Sequence, residues 1–319
     1  MNRAELLRGS LESLANQNIS SSDYEVVVVN DGSTDKTSEL CQEFSSRMQL
    51  KYLRIENSGI SAAKNLGIFL ATNPIVLFFD DDDVAHPNLL SEHIKAHADH
   101  PSENVAVLGY TTWHDRLSIS PLMDYVVNIG QNLFAYRDLQ DGQSLAYHYF
   151  WGGRSSCKRS LLVQHGIFDQ RFRFIIEDIE LGYRLWKKTG LSVVYCKNAI
   201  SHMMRPLTYD QFCRRCERQG EGFTMLAAKH TDPAIQEYCR HQVQDPHGST
   251  FLLELGDVKA VWEGVRPTLE QKTLQVYELE SLVNSQQLFD NTKRDELARL
   301  YRWTFNAFKI KGIAHALRQ

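Results

Sequence analysis

The sequence predicts an α/β fold built on a mostly parallel sheet, and three observations carry that expectation. Short apolar or β-branched runs, Tyr24–Val29, Leu50–Ile55 and Ile75–Phe79, recur through the first third of the chain. Between them lie stretches whose apolar residues repeat at near-helical spacing. Strand, helix, strand, helix in this rhythm requires crossover connections, which make neighbouring strands parallel.

The elements follow in order. The chain opens on an amphipathic helix with Leu6, Leu7, Leu11 and Leu14 on one face. Tyr24–Val29 reads as a strand buried on both faces, since its valines are apolar on successive residues. It stops at the turn Asn30-Asp31-Gly32-Ser33, and Thr34 or Asp35 caps a helix running to about Met48. After the strand Leu50–Ile55, Asn57-Ser58-Gly59 turns the chain into a helix over about 60–71, and Pro74 ends that segment. Ile75–Phe79 is another buried strand, followed at once by Asp80-Asp81-Asp82-Asp83 and then by a helix opened by Pro87. Val105–Tyr110 is a strand; residues 113–145 read as a long loop suited to an acceptor-side lid. Tyr147–Arg154 is aromatic and turns on Gly152-Gly153, and Ser160–His165 reads as helix. Glu177-Asp178 opens a helix that Gly190 closes, and the strand Leu191–Tyr195 leads into Ala199–His202. From about Pro206 the sequence is helix-forming, which sets a domain boundary near 205 and predicts domains 1–205 and 206–319.

Composition narrows the function classes. The chain has 319 residues, with 35 basic and 39 acidic side chains and a formal net charge of -4, so it carries no global basic field for nucleic acid. The longest apolar run, Ile75–Phe79, is far short of the roughly 20 residues of a membrane helix. The opening Met1-Asn2-Arg3 lacks an apolar signal core, and six cysteines form no disulfide framework, so a reducing cytoplasm is expected. Cys213 and Cys216 form a CxxC without a second pair, on a stretch that reads as helix.

In open α/β sheets, ligands bind beyond the carboxyl ends of the strands. That rule points at Asp31 and at Asp80–Asp83. Four carboxylates after an apolar strand cannot be core, because burying them unpaired is costly and mutual repulsion raises their pKa values. They are either a solvated acidic turn or oxygen ligands for Mg²⁺ or Mn²⁺, and the strand-end position favours the metal. Glu177-Asp178 is either a helix N-terminal cap or a general base that takes a proton from an attacking hydroxyl. His202, one of 12 histidines, follows a short strand and could complete a metal shell or be a structural histidine.

Tyr24–Asp35 (YEVVVVNDGSTD), Asn57–Gly67 (NSGISAAKNLG), Phe79–Asp83 (FDDDD) and Glu177–Gly190 (EDIELGYRLWKKTG) together resemble the family 2 glycosyltransferases of GT-A fold, in the same order, over about residues 4–205. The resemblance implies an inverting, metal-dependent transfer from a nucleoside-diphosphate sugar, UDP by family frequency, to a hydroxyl of a glycan or lipid-linked saccharide. By the same resemblance Asp31 meets the nucleotide base, Asp80 and Asp81 belong to the donor site, and Asp82 and His202 hold Mn²⁺ or Mg²⁺. Asp178 is then the base, with Glu177 beside it; Lys64, Gly152 and Gly153 flank the donor.

Three departures from the family pattern are visible. The usual first strand is missing ahead of Met1-Asn2-Arg3; Lys64 stands where arginine is common; and Arg154 stands where asparagine is usual. Rival readings are a nucleotidyltransferase, which lacks its usual Gly-rich loop here, and a non-catalytic nucleotide-sugar binder. In the tail, Arg214, Arg215 and Arg218 are a solvated face or a phosphate contact. Tyr301–Arg318 is a basic amphipathic segment suited to packing, to a homodimer partner or to the inner face of a membrane.

Overall fold

The computed structural model describes residues 2–244, 246, 255–285 and 291–318. The elements are α1 (Ala4–Ala15), β1 (Val26–Asp31), α2 (Thr37–Phe44), β2 (Leu50–Ile55), α3 (Ile60–Leu70), β3 (Ile75–Leu77), β4 (Asp83–Ala85), α4 (Leu89–Asp99), β5 (Val105–Trp113), α5 (Pro121–Asp124), β6 (Ser144–Leu145), β7 (Ser155–Lys158), α6 (Arg159–His165), α7 (Glu177–Thr189), β8 (Ser192–Met203), α8 (Tyr209–Lys229), α9 (Pro233–His241), α10 (Leu255–Ser285) and α11 (Asn291–Ala316). They form two compact units: Met1–Leu117 with Asp138–Arg205, and Ser118–Arg137 with Pro206–Gln319. The second unit thus takes in residues 118–137, which precede the expected boundary near 205.

In the first unit, β1 pairs β2 in parallel, and the long strands β5 and β8 are also parallel. A sheet runs in the order β3-β7-β5-β8-β4, with β6 also on β8. Here β7 is antiparallel to both β3 and β5, so β3 and β5 point the same way. Short antiparallel strands are therefore inserted among longer parallel ones. The valines of β1 are half-buried rather than covered on both faces, because β1 builds its ladder with β2 alone among the described strands.

Helical spacing explains how α1 packs. Leu7 and Leu11 bury against Leu40, Cys41 and Phe44 of α2, while Leu14 joins Ala85, Leu89 and Ala199. The helix α2 is shorter than expected; its first turn is held by Asp35, whose Oδ1 accepts from the Thr37 amide at 3.2 Å. Gly190 closes α7 at a φ of 71°.

The second unit is helical. Thr208 and Gln211 make a reciprocal capping box on α8, and Asp232 caps α9 ahead of Pro233. The expected lid is not all loop: α5 and a π-helical turn over Tyr125–Ile129 lie inside it, and the Tyr125 ring meets Tyr301 at 5.1 Å. In α11, Phe305 packs on Phe212 at 4.6 Å, and Ile310 and Ile313 are buried. The apolar face considered for a membrane is thereby occupied within this unit. Cys213 and Cys216 are buried free thiols on α8, with burial raising the pKa of each. No described helix is long and apolar enough to cross a membrane.

Candidate active site

Two strand-end turns and one helix start build the site. At the end of β1, Asp31 accepts the Ser58 amide at 2.7 Å and the Gly59 amide at 3.0 Å, tying this turn to the start of α3. Beside it opens a cleft of about 400 Å³ lined by Gly32, Arg54, Ile55, Glu56 and Asn57.

The acidic run leaves β3 and enters β4. Its backbone is pinned by Ser10 of α1, whose hydroxyl contacts the carbonyls of Asp81 at 2.9 Å and Asp83 at 2.6 Å. Asp80, Asp82 and Asp83 each offer one carboxylate oxygen, and these lie within 4.8 Å of one another. Asp82 and Asp83 are buried. Ser201 donates to Asp83 Oδ2 at 2.9 Å, while the buried Asp83 Oδ1 has no hydrogen-bond partner among the described residues. Burial, reinforced by Asp80 and Asp82 and opposed by Arg154, pushes the Asp83 carboxyl up to about 7. Burial also raises Asp81. Hard oxygen donors in this number, one of them an orphaned acceptor, fit a divalent cation such as Mg²⁺ or Mn²⁺.

Guanidinium groups surround the run. Arg154 Nη2 lies 3.0 Å from Asp80 Oδ2, and its Nε donates to Thr111 Oγ1 at 2.9 Å. Arg205 Nε lies 2.7 Å from Asp82 Oδ2, and Arg3 reaches Asp81 at 2.6 Å and Asp82 at 3.2 Å.

The second acidic pair stands at the start of α7. Ile176, just before it, is a β-branched residue at a φ of 68°, an outlier that marks local strain. Glu177 is buried and meets Lys64 Nζ at 2.8 Å. Burial raises Glu177 against the pull of Lys64; burial also works against the Lys64 charge, yet Glu177 and Asp178 outweigh it and leave the lysine raised. Asp178 is oriented by backbone amides, from Ile179 at 2.8 Å and from Gly152 at 2.9 Å.

The glycine turn joins the two acidic regions. A Cβ at Gly152 would strike Lys64 Nζ and crowd Asp178, and a Cβ at Gly153 would strike the Asp80 carboxylate. Two consecutive glycines let the backbone pass between these groups without shifting Lys64 or Asp80. Asp80, Asp178, Glu177, Lys64, Gly152 and Gly153 are therefore brought together.

His202 is not in the carboxylate group. It pairs across the strands with Val84, and strand alternation puts it on the face opposite Asp83. Its ring packs on His114 with centroids 5.9 Å apart. Asp82 accepts the Met204 amide at 2.8 Å, so His202 stands two residues before that contact. The sequence marks Asp83 only as a member of the acidic run, gives no role to Ser201, Arg3 or Arg205, and shows Arg154 only as a departure. The position of Arg205 just after a strand was the one local signal for it.

This mixed α/β fold, followed by helices, is the GT-A architecture. A solved mannosyltransferase, PcManGT from Pyrobaculum calidifontis in complex with GDP-Man and Mn2+, matches with a TM-score of 0.61 at 17% identity, over 98% of this chain and 84% of that one. Residues 1–349 of S. aureus TarS in complex with UDP match with a TM-score of 0.53 at 16% identity, over 92% and 84%. The family model of glycosyl transferase family 2 matches residues 1–165, and the chain belongs to that family.

Among curated relatives, validoxylamine A glucosyltransferase of Streptomyces hygroscopicus subsp. jinggangensis (strain 5008) is 31% identical over 207 residues, 58% of this chain and 49% of its own. Minor teichoic acid biosynthesis protein GgaA of Bacillus subtilis (strain 168) is 34% identical over 198 residues, 60% and 43% respectively. The chain thus spans about half the length of the Streptomyces relative.

Proposed function

We propose that this chain transfers a sugar from a nucleoside-diphosphate donor to a hydroxyl of a glycan or lipid-linked saccharide, with inversion at the anomeric carbon. The observation that carries the reading is the glycine turn, where Gly152 abuts Asp178 and Gly153 abuts Asp80. A proton acceptor and the acidic run thus face one short stretch of backbone.

In this reading Asp178 takes the proton of the acceptor hydroxyl as that oxygen bonds to the anomeric carbon. The bond from the anomeric carbon to the diphosphate oxygen breaks, and the diphosphate leaves with the electron pair. The Gly152 and Ile179 amides hold the Asp178 carboxylate in place for this. Lys64 keeps the neighbouring Glu177 compensated. Asp80, Asp82 and Asp83 would hold a divalent cation without His202, which lies on the strand face opposite Asp83; when bound, that ion supplies positive charge to the leaving diphosphate. Asp31 and the cleft beside it are the proposed place of the nucleotide base. The aromatic pair Tyr149 and Trp151, with centroids 5.5 Å apart, is the proposed acceptor wall next to Gly152. UDP-sugars are the proposed donors, and a glucosyltransferase among the relatives supports transfer of a sugar.

The test is a thermal-shift and transfer panel of UDP-, GDP- and dTDP-sugars with and without Mn²⁺. One nucleotide class should raise Tm by mass action only with the ion, and should be consumed when a saccharide acceptor is added. No shift with any donor would sink the reading; a shift without turnover under any acceptor would leave a nucleotide-sugar binder in its place.

A further inference from the structure

Two arginines in the candidate site have a geometry that a static ion pair does not need. Asp82 is buried, and its Oδ2 is shared by Arg205 at 2.7 Å and Arg3 at 3.2 Å. A second nitrogen of Arg3 holds Asp81 at 2.6 Å. The same Asp82 carboxylate belongs to the group able to hold a cation. A divalent ion arriving there would meet two guanidinium charges on its own ligand oxygen, and like charges at such range repel strongly in a partly desolvated site.

Both arginines are fixed at the root and partly exposed at the head. Arg3 is rooted by a clasp on the β1 turn: the Asn2 amide donates to Ser33 Oγ at 3.1 Å, and the Ala4 amide donates to Asp35 Oδ2 at 2.9 Å. Arg205 is rooted beside Met204, whose amide donates to the Asp82 carbonyl at 2.8 Å. Yet their side chains are 32% and 43% exposed. Their donors are also incompletely used. Arg205 Nε lies close to Asp82 but its N–H does not point at the oxygen, and neither it nor Arg3 Nε–H has an acceptor among the described residues. Arg154 differs, being 13% exposed and braced by Thr111 and Asp80.

We infer that Arg3 and Arg205 are built-in counter-cations of Asp81 and Asp82, which leave for the phosphate oxygens of a nucleoside diphosphate when a divalent cation takes the carboxylates. The inference rests on the proposed function and adds to it that cation and diphosphate bind cooperatively. Without the diphosphate, the ion must displace two guanidiniums that gain no new partner. With it, the guanidinium fork finds an anion it matches bidentately, and the carboxylates become available. By linkage, the nucleotide then tightens the ion by the same factor as the ion tightens the nucleotide.

The experiment measures Mn²⁺ affinity of the full chain by electron paramagnetic resonance, alone and with saturating UDP, GDP or dTDP. Wild type should bind Mn²⁺ weakly alone and about tenfold or more tighter with one nucleotide, within the usual range of coupling. Arg3→Ala and Arg205→Ala should each bind Mn²⁺ severalfold tighter than wild type when no nucleotide is present, bind the nucleotide more weakly, and lose most of the coupling. Arg205→Lys, which keeps the charge without the fork, should fall between and guards against a folding defect. Arg8→Ala, which removes an exposed pair with Glu43, should match wild type. Folded arginine variants whose nucleotide-free Mn²⁺ affinity equals or falls below wild type would overturn this inference while leaving the proposed function standing. Wild type that binds no Mn²⁺ with any of the three nucleotides would overturn both.

Discussion

The two acidic regions of the site are neutralised in different ways. At Asp80–Asp83 the compensating charges are guanidiniums, two of them on partly exposed side chains, Arg3 and Arg205, with the more enclosed Arg154 beside them. At Glu177–Asp178 they are a lysine that is 15% exposed and two backbone amides. The Arg3 and Arg205 heads reach solvent, whereas Lys64 and the two amides are largely enclosed. A region that trades ions needs the former. A carboxylate that must meet an acceptor hydroxyl at one place needs the latter, because misplacement by about 1 Å can cost about 10²-fold in rate.

The sharpest way to break this comparison is to neutralise one acid in each region. Asp178→Asn should lower kcat by about 10³-fold, the range of a lost general base, while donor affinity measured by calorimetry stays at the wild-type value. Asp82→Asn should instead abolish Mn²⁺-dependent donor binding. Equal loss of donor binding in both variants would erase the distinction between the regions.

Stability separates them next. Lys64→Met strands Glu177 in a buried position and should cost about 3–5 kcal/mol in urea unfolding. Arg205→Met removes a half-exposed partner and should cost about 1 kcal/mol or less. A Lys64→Met protein as stable as wild type would show that Glu177 is held by something other than its lysine.

Gly153→Ala tests the hinge between the regions. The added methyl meets the Asp80 carboxylate, so kcat/KM should fall up to about 10²-fold with little change in far-UV circular dichroism.

The smallest expected effect concerns acid stability, which must be separated from titration of the acidic run. His93 and His97 of α4 are both buried and share the Ser156 hydroxyl, at 2.8 and 2.9 Å. Burial, helped by His97, pushes His93 down to about 3, and burial, helped by Lys158 and His100, pushes His97 down to about 4. Because their folded values lie below the ordinary 6.5, their contribution is full above about pH 6.5. It is lost as pH falls from there toward 4, by at most about 1.4 kcal/mol per pH unit for each histidine. His97→Gln should flatten that limb in denaturation measured across pH 4–7; an unchanged slope would remove the pair from the account.

Much of this site could be read from the chain alone, and for a common reason. Asp31 and Asp80–Asp83 stood out because carboxylates after apolar runs mark strand ends, and Glu177-Asp178 because acids favour a helix start. The Gly152-Gly153 turn declared itself by its composition. These are local signals, carried by residues within a few positions of one another. The strand–helix rhythm that predicted the α/β class is local too.

What only tertiary structure decided is which groups face one another. β4 pairs with β8 in a register that puts Ser201 beside Asp83 and turns His202 toward His114. No period in the sequence sets that register. The arginines at 3, 154 and 205 converge on one acidic run although the chain separates them widely, and a charged side chain carries no mark of its distant partner. Residues 118–137 read as a loop because their apolar side chains, Tyr125 among them, find their neighbours on a helix more than 150 residues downstream. Periodicity and turn chemistry act over a few residues, so the sequence determined the elements and the acids at their ends. Pairing, burial and charge compensation act across space, so the fold alone decided what each acid is answered by.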